Sequence, residues 1–278
     1  LENRSKYLKS LCLGVSLIAL WASSPAIAQE ADTPSAESSE DSQSSMKLES
    51  ITVTAQRREE SANDVPMSIQ AFGGDQLDTL RVNEVDDLQA LVPSFSVSQS
   101  YQGVPTYTLR GIGFNTINVS ATSTVGTYVD EVAYPYPFMN SGPMFDIERI
   151  EVLKGPQGTL FGRNTTAGLI NVVTNQPVDE FQASVSADIG NYDTWNLEGM
   201  VNVPLAENVQ ARFAIRSENS DDGWQESISR GEDRGTVDKL GFRAALAIQP
   251  TDKLEIDLSY NGWINKSDTI AGQAIGLT

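Results

Sequence analysis

Strict alternation of apolar and polar residues from residue 181 onward limits the folds that this chain can adopt. In the first such segment the odd-numbered positions from 181 to 189 are apolar, and the even-numbered positions are Gln, Ser, Ser and Asp. Further segments with this pattern lie at residues 195–203, 209–216, 242–248 and 254–261. Segments of about ten residues with one apolar and one polar, often charged, face are typical of transmembrane β-barrel strands. The alternative is a soluble β-sandwich with one solvated face.

The connections between these segments alternate between short and long. Residues 204–208 and 250–253 are short turns, residues 217–236 form a long acidic connection, and the connection at 190–193 lies on the same side as the long one. Outer-membrane barrels have short periplasmic turns and longer external loops. Five strands cannot close a barrel, which needs about eight, and an open sheet leaves backbone groups unpaired in lipid. We therefore expect an incomplete barrel, and a chain that is the N-terminal part of a larger membrane protein.

The N-terminal residues have the pattern of a secretory signal peptide. Basic residues come first, residues 11–22 form a short apolar core, and the Ala-Ile-Ala sequence that ends at Ala28 is a small-residue cleavage site. The apolar core is too short for a membrane-spanning helix. We predict a signal peptide at 1–28. Residues 29–50 are rich in Ser, Glu, Asp, Ala and Gln, which predicts a disordered acidic linker.

Composition excludes several classes of function. The 278 residues include no His and one Cys, which rules out His-based triads, His-ligated zinc or haem, and sites that need several Cys. The net charge of −18 has the wrong sign for a nucleic-acid binder. The glycines at 155–162 match neither a P-loop nor a dinucleotide-binding motif. We expect no catalytic residues, no metal site, no cofactor and no transmembrane helix, and we do not expect an enzyme.

Between residues 60 and 178 the pattern changes to helices and strands separated by Gly and Pro. Strand-like segments lie at 68–72, 107–110, 124–129, 147–153 and 168–174. Asp75 is placed to cap a helix that runs through Arg81, and a second helical stretch at 85–91 ends before Pro93. A region of about 120 residues is large enough for its own hydrophobic core. The sequence therefore predicts an α+β domain at 60–178.

Four motifs follow one another in this part of the chain. They are ITVTA at 51–55, LRGIG at 109–113, GTYVD at 126–130 and IERIEVLKGPQGTLFGRNTTAGLINVVT at 147–174. Together with the signal peptide and the alternating strands, they resemble the TonB-dependent outer-membrane receptors. The resemblance implies an α+β plug domain at 60–178, followed by antiparallel transmembrane β-barrel strands at 179–278. It also implies the outer membrane of a Gram-negative bacterium, with the plug accessible from the periplasm.

The ITVTA segment is similar to the TonB box of that family. It consists of Ile51, Thr52, Val53, Thr54 and Ala55. An extended chain with free backbone edges can add as a strand to the sheet of a partner, although any buried strand has a similar composition. Its position between an acidic linker and a folded domain predicts a tether. The resemblance implies that TonB, the energy-transducing protein of the inner membrane, binds this box and pulls it, driven by the proton-motive force.

Further site residues follow from the same resemblance. Arg110 and Arg163 lie in glycine-rich surroundings and are either ordinary surface arginines or plug arginines that pair with barrel acids and act as a latch. Residues 131–145 form an aromatic- and proline-rich loop that either packs on the barrel wall or faces the external ligand. Tyr101 lies in a second loop of this kind. In the second case the resemblance implies ligand contacts by Tyr101, Tyr134, Tyr136, Phe138 and Met139.

The resemblance implies an energised importer of a scarce large nutrient, most often a ferric siderophore in this family. Its expected partners are TonB, outer-membrane lipid and a ferric siderophore or similar ligand, with no nucleic acid. Cobalamin, a nickel complex and an oligosaccharide remain open as substrates. The alternative function is that of a truncated, non-transporting plug fragment that only binds ligand or TonB.

Overall fold

The computed structural model describes residues 51–54, 58, 60–99, 104–114, 121–227 and 231–268. The elements up to residue 174 make up a first region of short strands and helices. They are β1 (Thr52–Val53), β2 (Glu60–Ser61), β3 (Ser68–Gly73), α1 (Gly74–Thr79), α2 (Leu88–Leu91), β4 (Phe95–Gln99), β5 (Pro105–Leu109), β6 (Ile112–Gly113), β7 (Val125–Val129), β8 (Val132–Ala133), β9 (Ile147–Lys154), α3 (Gly158–Phe161) and β10 (Gly168–Thr174). Short 3-10 helices lie at Val85–Asp87 and Pro137–Asn140.

A five-stranded mixed sheet lies at the centre of the first region, in the order β3-β9-β10-β7-β8. β9 pairs antiparallel with both β3 and β10, and β7 pairs parallel with β10. β9 and β10 are rich in β-branched and other apolar residues, which suit strands that are covered on both faces. β7 turns into β8 through Asp130 and Glu131, whose positive φ values of 47° and 66° are those of a type I′ hairpin turn.

Apolar side chains cover both faces of this sheet. Ile150 and Val152 of β9 pack in one core together with Leu88 of α2. Leu153 of β9 points to the opposite face, where it packs in a second core with Val53 of β1. Successive residues of a strand point to opposite faces, so β9 contributes to both cores. An apolar core therefore covers each of the two faces of the central sheet at β9.

The first helix is shorter than the sequence predicts, and its cap differs. α1 ends at Thr79 rather than Arg81, and its N-cap is Gly73, which makes no side-chain cap hydrogen bond. The prediction that Asp75 caps this helix is wrong, because Asp75 lies inside the first turn, where its carboxylate still interacts favourably with the helix dipole. The stretch predicted at 85–91 is helical, but its first turn is a 3-10 helix.

The second region consists mainly of long strands. The strands are β11 (Gln182–Gly190), β12 (Thr194–Ala206), β13 (Val209–Ser220), β14 (Gln225–Ser227), β15 (Glu232–Arg234), β16 (Val237–Thr251) and β17 (Leu254–Asn265). β11, β12, β13, β16 and β17 form one antiparallel sheet in that order, which we call the wall. The described strands of the wall form an open sheet. The prediction of antiparallel barrel strands after an α+β domain is confirmed.

The two faces of the wall differ as the alternation predicts. Phe213 and Ile215 of β13 are 52% and 50% exposed, whereas Arg212 and Arg216 on the opposite face are each 5% exposed. The polar face is buried because it packs against the first region. A broad exposed apolar face on strands of this length is what a lipid-facing surface requires.

The connections within the wall are short at one end and longer at the other. Residues 207–208 and 252–253 form two-residue turns, and residues 191–193 join β11 to β12 at the opposite end. The predicted long connection at 217–236 is partly ordered, because β13 continues to Ser220 and β14 pairs with β15. No helix in the described ranges is both long enough and apolar enough to cross a membrane.

Candidate functional site

The predicted TonB box lies against the central sheet, and one of its backbone edges is occupied. β1 pairs antiparallel with β2, and Ala62 N–H donates to the carbonyl oxygen of Ile51 at 3.0 Å. The side chain of Val53 is fully buried in the second core, whereas Thr52 is exposed. Ala55 lies outside the described residues. The box is therefore a docked strand in this structure rather than a free extended segment.

Glu151 of β9 holds the residue that follows β1. Its Oε1 atom accepts hydrogen bonds from Thr54 N at 2.8 Å, Thr54 Oγ1 at 3.2 Å and Arg149 Nε at 2.9 Å. Its Oε2 atom accepts a hydrogen bond from Asn171 Nδ2 at 3.3 Å. Glu151 is 0% exposed. A carboxylate is tolerated at such a position because both oxygens are hydrogen bonded and a guanidinium lies beside them.

A second buried carboxylate, that of Asp146, joins the first region to the wall. Arg212 of β13 donates to it from Nε at 2.9 Å and from Nη2 at 2.5 Å. Arg243 of β16 forms an ion pair with the same carboxylate, and its Nη2 also donates to the Asp146 carbonyl oxygen at 2.8 Å. The three side chains are between 3% and 6% exposed. Asp146 therefore bridges two neighbouring wall strands from the first region.

Further ionic contacts continue from Asp146 along the inner face of the wall. Glu198 of β12 accepts a hydrogen bond from Asp146 N at 3.1 Å and pairs with Arg216 at 2.6 Å. Arg216 also pairs with Glu218 at 2.7 Å. Lys239 of β16 pairs with Glu84 of the first region and lies 3.9 Å from Glu218 Oε2. The first region is thus held to the wall through two of its carboxylates, those of Asp146 and Glu84.

The predicted latch arginines lie elsewhere. Arg110 and Arg163 are both exposed. Arg110 has a left-handed backbone with φ of 53°, and burial together with the positive charge of Arg110 lowers the pKa of Lys154. Within the described ranges neither arginine forms an ion pair. Their pairing with barrel acids stays a prediction.

The predicted ligand residues form two pairs on one loop. Tyr136 and Phe138 are 38% and 42% exposed, and their rings stack with centroids 5.7 Å apart. Tyr134 and Met139 are partly buried and line a cavity between this loop and the wall, and burial raises the pKa of the Tyr134 phenol. Tyr101 lies outside the described residues. Of the four described residues, Tyr136 and Phe138 are thus exposed on the loop, and Tyr134 and Met139 face the cavity.

A cleft of about 490 Å³ lies between this loop and the wall. Phe138 and Ser141 line it from the first region, and Trp224, Lys239 and Trp263 line it from the second. These residues of the second region lie at the end of the wall where the long connection runs from β13 to β16. Aromatic rings and polar groups that converge in a concave site are typical of small-molecule binding sites.

Asp86, which also lines this cleft, has a perturbed carboxyl group. Burial and the charge of Glu84 raise its pKa from 3.8 to about 6, against the opposing effect of a hydrogen bond from Gln99. The protonated form is therefore favoured in the folded chain relative to the unfolded chain. The contribution of Asp86 to stability is highest below pH 4 and falls as the pH rises through about 6.

Asp86→Asn is expected to stabilise the chain at pH 7 by on the order of 2 kcal/mol, because the amide does not ionise in this site. Thermal unfolding of both forms between pH 4 and pH 7 measures the effect. The advantage of the variant should shrink as the pH falls towards 4. Asp64→Asn, at an exposed position, is the matched control and should follow the parent curve. Identical pH curves for the parent and Asp86→Asn would contradict the prediction.

The residues that join the elements were not predicted from the sequence, although the chain carries signals for them. Glu151 interrupts an apolar strand between Ile150 and Val152, which indicates a buried acid with a specific partner. Arg212 and Arg243 lie on the polar face of alternating strands and require acceptors there. None of these signals identifies the partner residue.

These contacts hold a segment and a domain in place and contain no reactive constellation. No group of His, Cys, Asp and Glu that could hold a metal ion occurs in the part of the chain that the structure describes. Ionic contacts and hydrogen bonds of this kind are suited to docking and release.

Comparisons with known proteins identify both regions. The family described as the TonB-dependent Receptor Plug Domain matches residues 61–169. The pesticin receptor of Yersinia pestis is 26% identical over 210 residues, which are 72% of this chain and 30% of that protein. The ferric-pyoverdine 358 receptor of Pseudomonas putida is 25% identical over 174 residues, which are 61% of this chain and 20% of that protein. The chain thus spans less than a third of the length of these curated relatives.

Solved structures show the same fold. The ferric yersiniabactin uptake receptor FyuA from Yersinia pestis matches with a TM-score of 0.65 and 22% identity, over 71% of this chain and 31% of that one. The ferripyoverdine receptor of Pseudomonas aeruginosa matches with a TM-score of 0.63 and 20% identity, over 77% of this chain and 27% of that one.

The relatives are receptors, which confirms the prediction that the chain is not an enzyme. The plug match covers most of the first region, and the structural matches extend over the first region and the wall. Residues 61–169 therefore form a TonB-dependent receptor plug domain, and the chain as a whole shares the fold of the plug and the antiparallel barrel strands of the outer-membrane receptors that it resembles.

Proposed function

We propose that this chain is part of a receptor that imports a ferric siderophore across the outer membrane and is energised by TonB. The observation that carries the proposal is the docking of the box residues 51–54 on a plug that is itself fastened to the polar face of the wall. In this proposal the pore that the plug closes opens when a partner protein binds the box and pulls on it, because the pull rearranges the plug. The names of relatives that take up ferric pyoverdine and ferric yersiniabactin support the substrate class.

The cleft beside the aromatic loop supports a binding role for the end of the wall that has the longer connections. By analogy with barrels that have short periplasmic turns, this end faces outward. Tyr134, Tyr136, Phe138 and Met139 then lie where an external ligand arrives. Aromatic side chains there would supply rigid apolar contacts, and the hydroxyl groups of Tyr134 and Tyr136 would add hydrogen bonds. Tyr101 remains a further proposed contact, since the sequence places it in a second loop of similar composition.

The proposed cycle needs no covalent chemistry. The ligand binds at the outer end, the box becomes available in the periplasm, and TonB adds to it through backbone hydrogen bonds. Pulling on the box then rearranges the plug and opens a path. In this proposal Arg110 and Arg163 pair with acids on further barrel strands and help to hold the plug between cycles.

Uptake assays test the proposal with a pair of variants at one position. Thr52→Pro removes a backbone N–H and fixes φ, and both changes oppose strand addition. Thr52→Ala is the matched control, because it removes only an exposed side chain. Iron-starved cells that express the receptor are given ferric pyoverdine or ferric yersiniabactin labelled with radioactive iron.

We expect the parent and Thr52→Ala to accumulate at least one of the two labelled complexes. Thr52→Pro is expected to accumulate no more than cells that lack TonB, while it binds the same complex at the surface. Full uptake by Thr52→Pro would refute energy coupling through the box. Binding without uptake by the parent would support the alternative of a fragment that only binds.

A further inference from the structure

Strand β9 connects the attachment of the box with an attachment of the plug to the wall. Its middle residue Glu151 accepts hydrogen bonds from Thr54, and Asp146 directly precedes its first residue. A pull on the box is therefore transmitted to a strand whose start is bound to the wall. Whether the start of β9 leaves the wall depends on the relative strength of the two attachments.

Both attachments are buried, but the one at Asp146 joins opposite charges of the plug and the wall, whereas the box contributes no charged group to its contact with Glu151. Separation there would leave the guanidinium groups of Arg212 and Arg243 without their shared acceptor in a water-poor interface. Arg243 would also lose its hydrogen bonds to the carbonyl oxygens of Phe145 and Asp146. The box, by contrast, is held by the two-residue pairing of β1 with β2, by Val53 and by the acceptor Glu151. The box is therefore expected to separate first.

The shapes of the plug and the wall match around the same point. A Cβ atom on Gly241 of β16 would lie 2.5 Å from the ring of Phe145 and 2.8 Å from Pro143. A Cβ atom on Gly142 of the plug would lie 2.7 Å from the indole of Trp263. Each surface thus lacks a side chain where the other approaches. This fit is independent of the ionic contacts and supports the same attachment.

We propose that Asp146, Arg212 and Arg243 form a fixed anchor that keeps the start of β9 on the wall throughout transport. The proposal rests on the proposed function. Pulling on the box then rearranges the part of the plug that bears the box, while the segment 141–146 keeps its contacts with β13, β16 and β17. Asp146 is a positioning residue in this scheme.

Two disulfides in the complete receptor test the proposal. Ser141→Cys with Asn265→Cys replaces a contact in which Asn265 Nδ2 donates to Ser141 O at 3.1 Å, and it leaves the three anchor residues intact. Thr54→Cys with Asn171→Cys replaces a 3.3 Å contact between the box and the sheet, and it is the matched comparison. Cys12, the one Cys among these 278 residues, lies in the predicted signal peptide, and any Cys elsewhere in the complete receptor is first replaced by Ser. Uptake of ferric pyoverdine and ferric yersiniabactin is measured before and after oxidation, and thiol labelling measures disulfide formation.

Both residues of the Ser141–Asn265 pair line the proposed ligand cleft, so uptake is expressed per complex bound at the cell surface. The oxidised pair is expected to retain this ratio within about twofold of its reduced form, because the contact that it bridges does not open. The oxidised Thr54–Asn171 pair is expected to lose uptake at least about tenfold, and reductant should restore it. Loss of uptake per bound complex on oxidation of the Ser141–Asn265 pair, reversed by reductant, would overturn the anchor.

The outcomes separate the anchor from the proposed function. Absence of uptake in both reduced forms and in the parent would refute the proposed function. Uptake that survives oxidation of the Thr54–Asn171 pair would refute the need to release the box. If the Ser141–Asn265 pair forms no disulfide, Glu84→Cys with Lys239→Cys tests the neighbouring contact with a short bis-maleimide cross-linker, because the two long side chains that meet there span more than a disulfide does. Failure of both pairs to form would show that the plug is not seated as described, and would overturn the proposal.

Discussion

Asp146→Asn is expected to weaken the attachment of the plug to the wall by about 3–5 kcal/mol. The substitution keeps the size of the side chain and removes its charge. Arg212 and Arg243 then remain buried with no anion between them. The cost of an uncompensated buried charge exceeds the value of the lost hydrogen bonds, which is why removal of one partner is so destabilising.

Digestion of the plug by trypsin in outer-membrane preparations measures this loss of attachment, and passive entry of a hydrophilic antibiotic gives a second readout. Both should increase in Asp146→Asn. Asp257→Asn, which removes an acid that forms no ion pair with any described residue, should leave both unchanged. Adding Arg212→Met and Arg243→Met to Asp146→Asn should recover much of the loss, because the unpaired charges are gone. The prediction fails if Asp146→Asn and Asp257→Asn behave alike.

Glu151→Ala is expected to release the box from the plug. The substitution removes the acceptor of Thr54 N and leaves Arg149 Nε and Asn171 Nδ2 without their partner in a buried site. Hydrogen bonds to a charged group contribute about 1.5–3 kcal/mol each, so the docking equilibrium should fall by about 10- to 100-fold. The pairing of β1 with β2 and the burial of Val53 remain, so the substitution weakens the docking of the box without removing every contact that holds it.

The rate at which a maleimide labels Val53→Cys measures this release, because residue 53 is fully buried when the box is docked. Labelling should accelerate by about 10- to 100-fold when Glu151→Ala is added. Glu148→Ala is the matched control, since Glu148 lies on the same strand and also pairs with Arg149 but is largely exposed. Equal labelling rates in the two backgrounds would show that Glu151 does not hold the box.

The wall was predictable from the sequence because its signal is local. Phe213 and Ile215 alternate with Arg212 and Arg216, and a period of two places them on opposite faces of any strand. The cap of α1 was not predictable in the same way. Asp75 and Gly73 are both plausible N-caps, and the end of β3 decides where the helix begins.

In the candidate site, too, local motifs were predictable from the sequence and the contacts between distant residues were not. The motif at 51–55 indicates a box, but its composition does not reveal that Val53 is buried in the plug. The resemblance implies that plug arginines pair with barrel acids, and that pairing stays a prediction. In the described residues the plug supplies the acids Asp146 and Glu84, and the wall supplies Arg212, Arg243 and Lys239.

By itself the sequence determined the strands of the wall, their two faces, the α+β character of the plug and the resemblance to a receptor family. These properties depend on residue spacing within a segment or on motifs read along the chain. Only the tertiary structure decided which groups meet. Thr54 is 97 residues from Glu151, and Asp146 is 66 and 97 residues from its two arginines. Such contacts depend on how the central sheet is ordered and how it packs on the wall, and no local pattern carries that information.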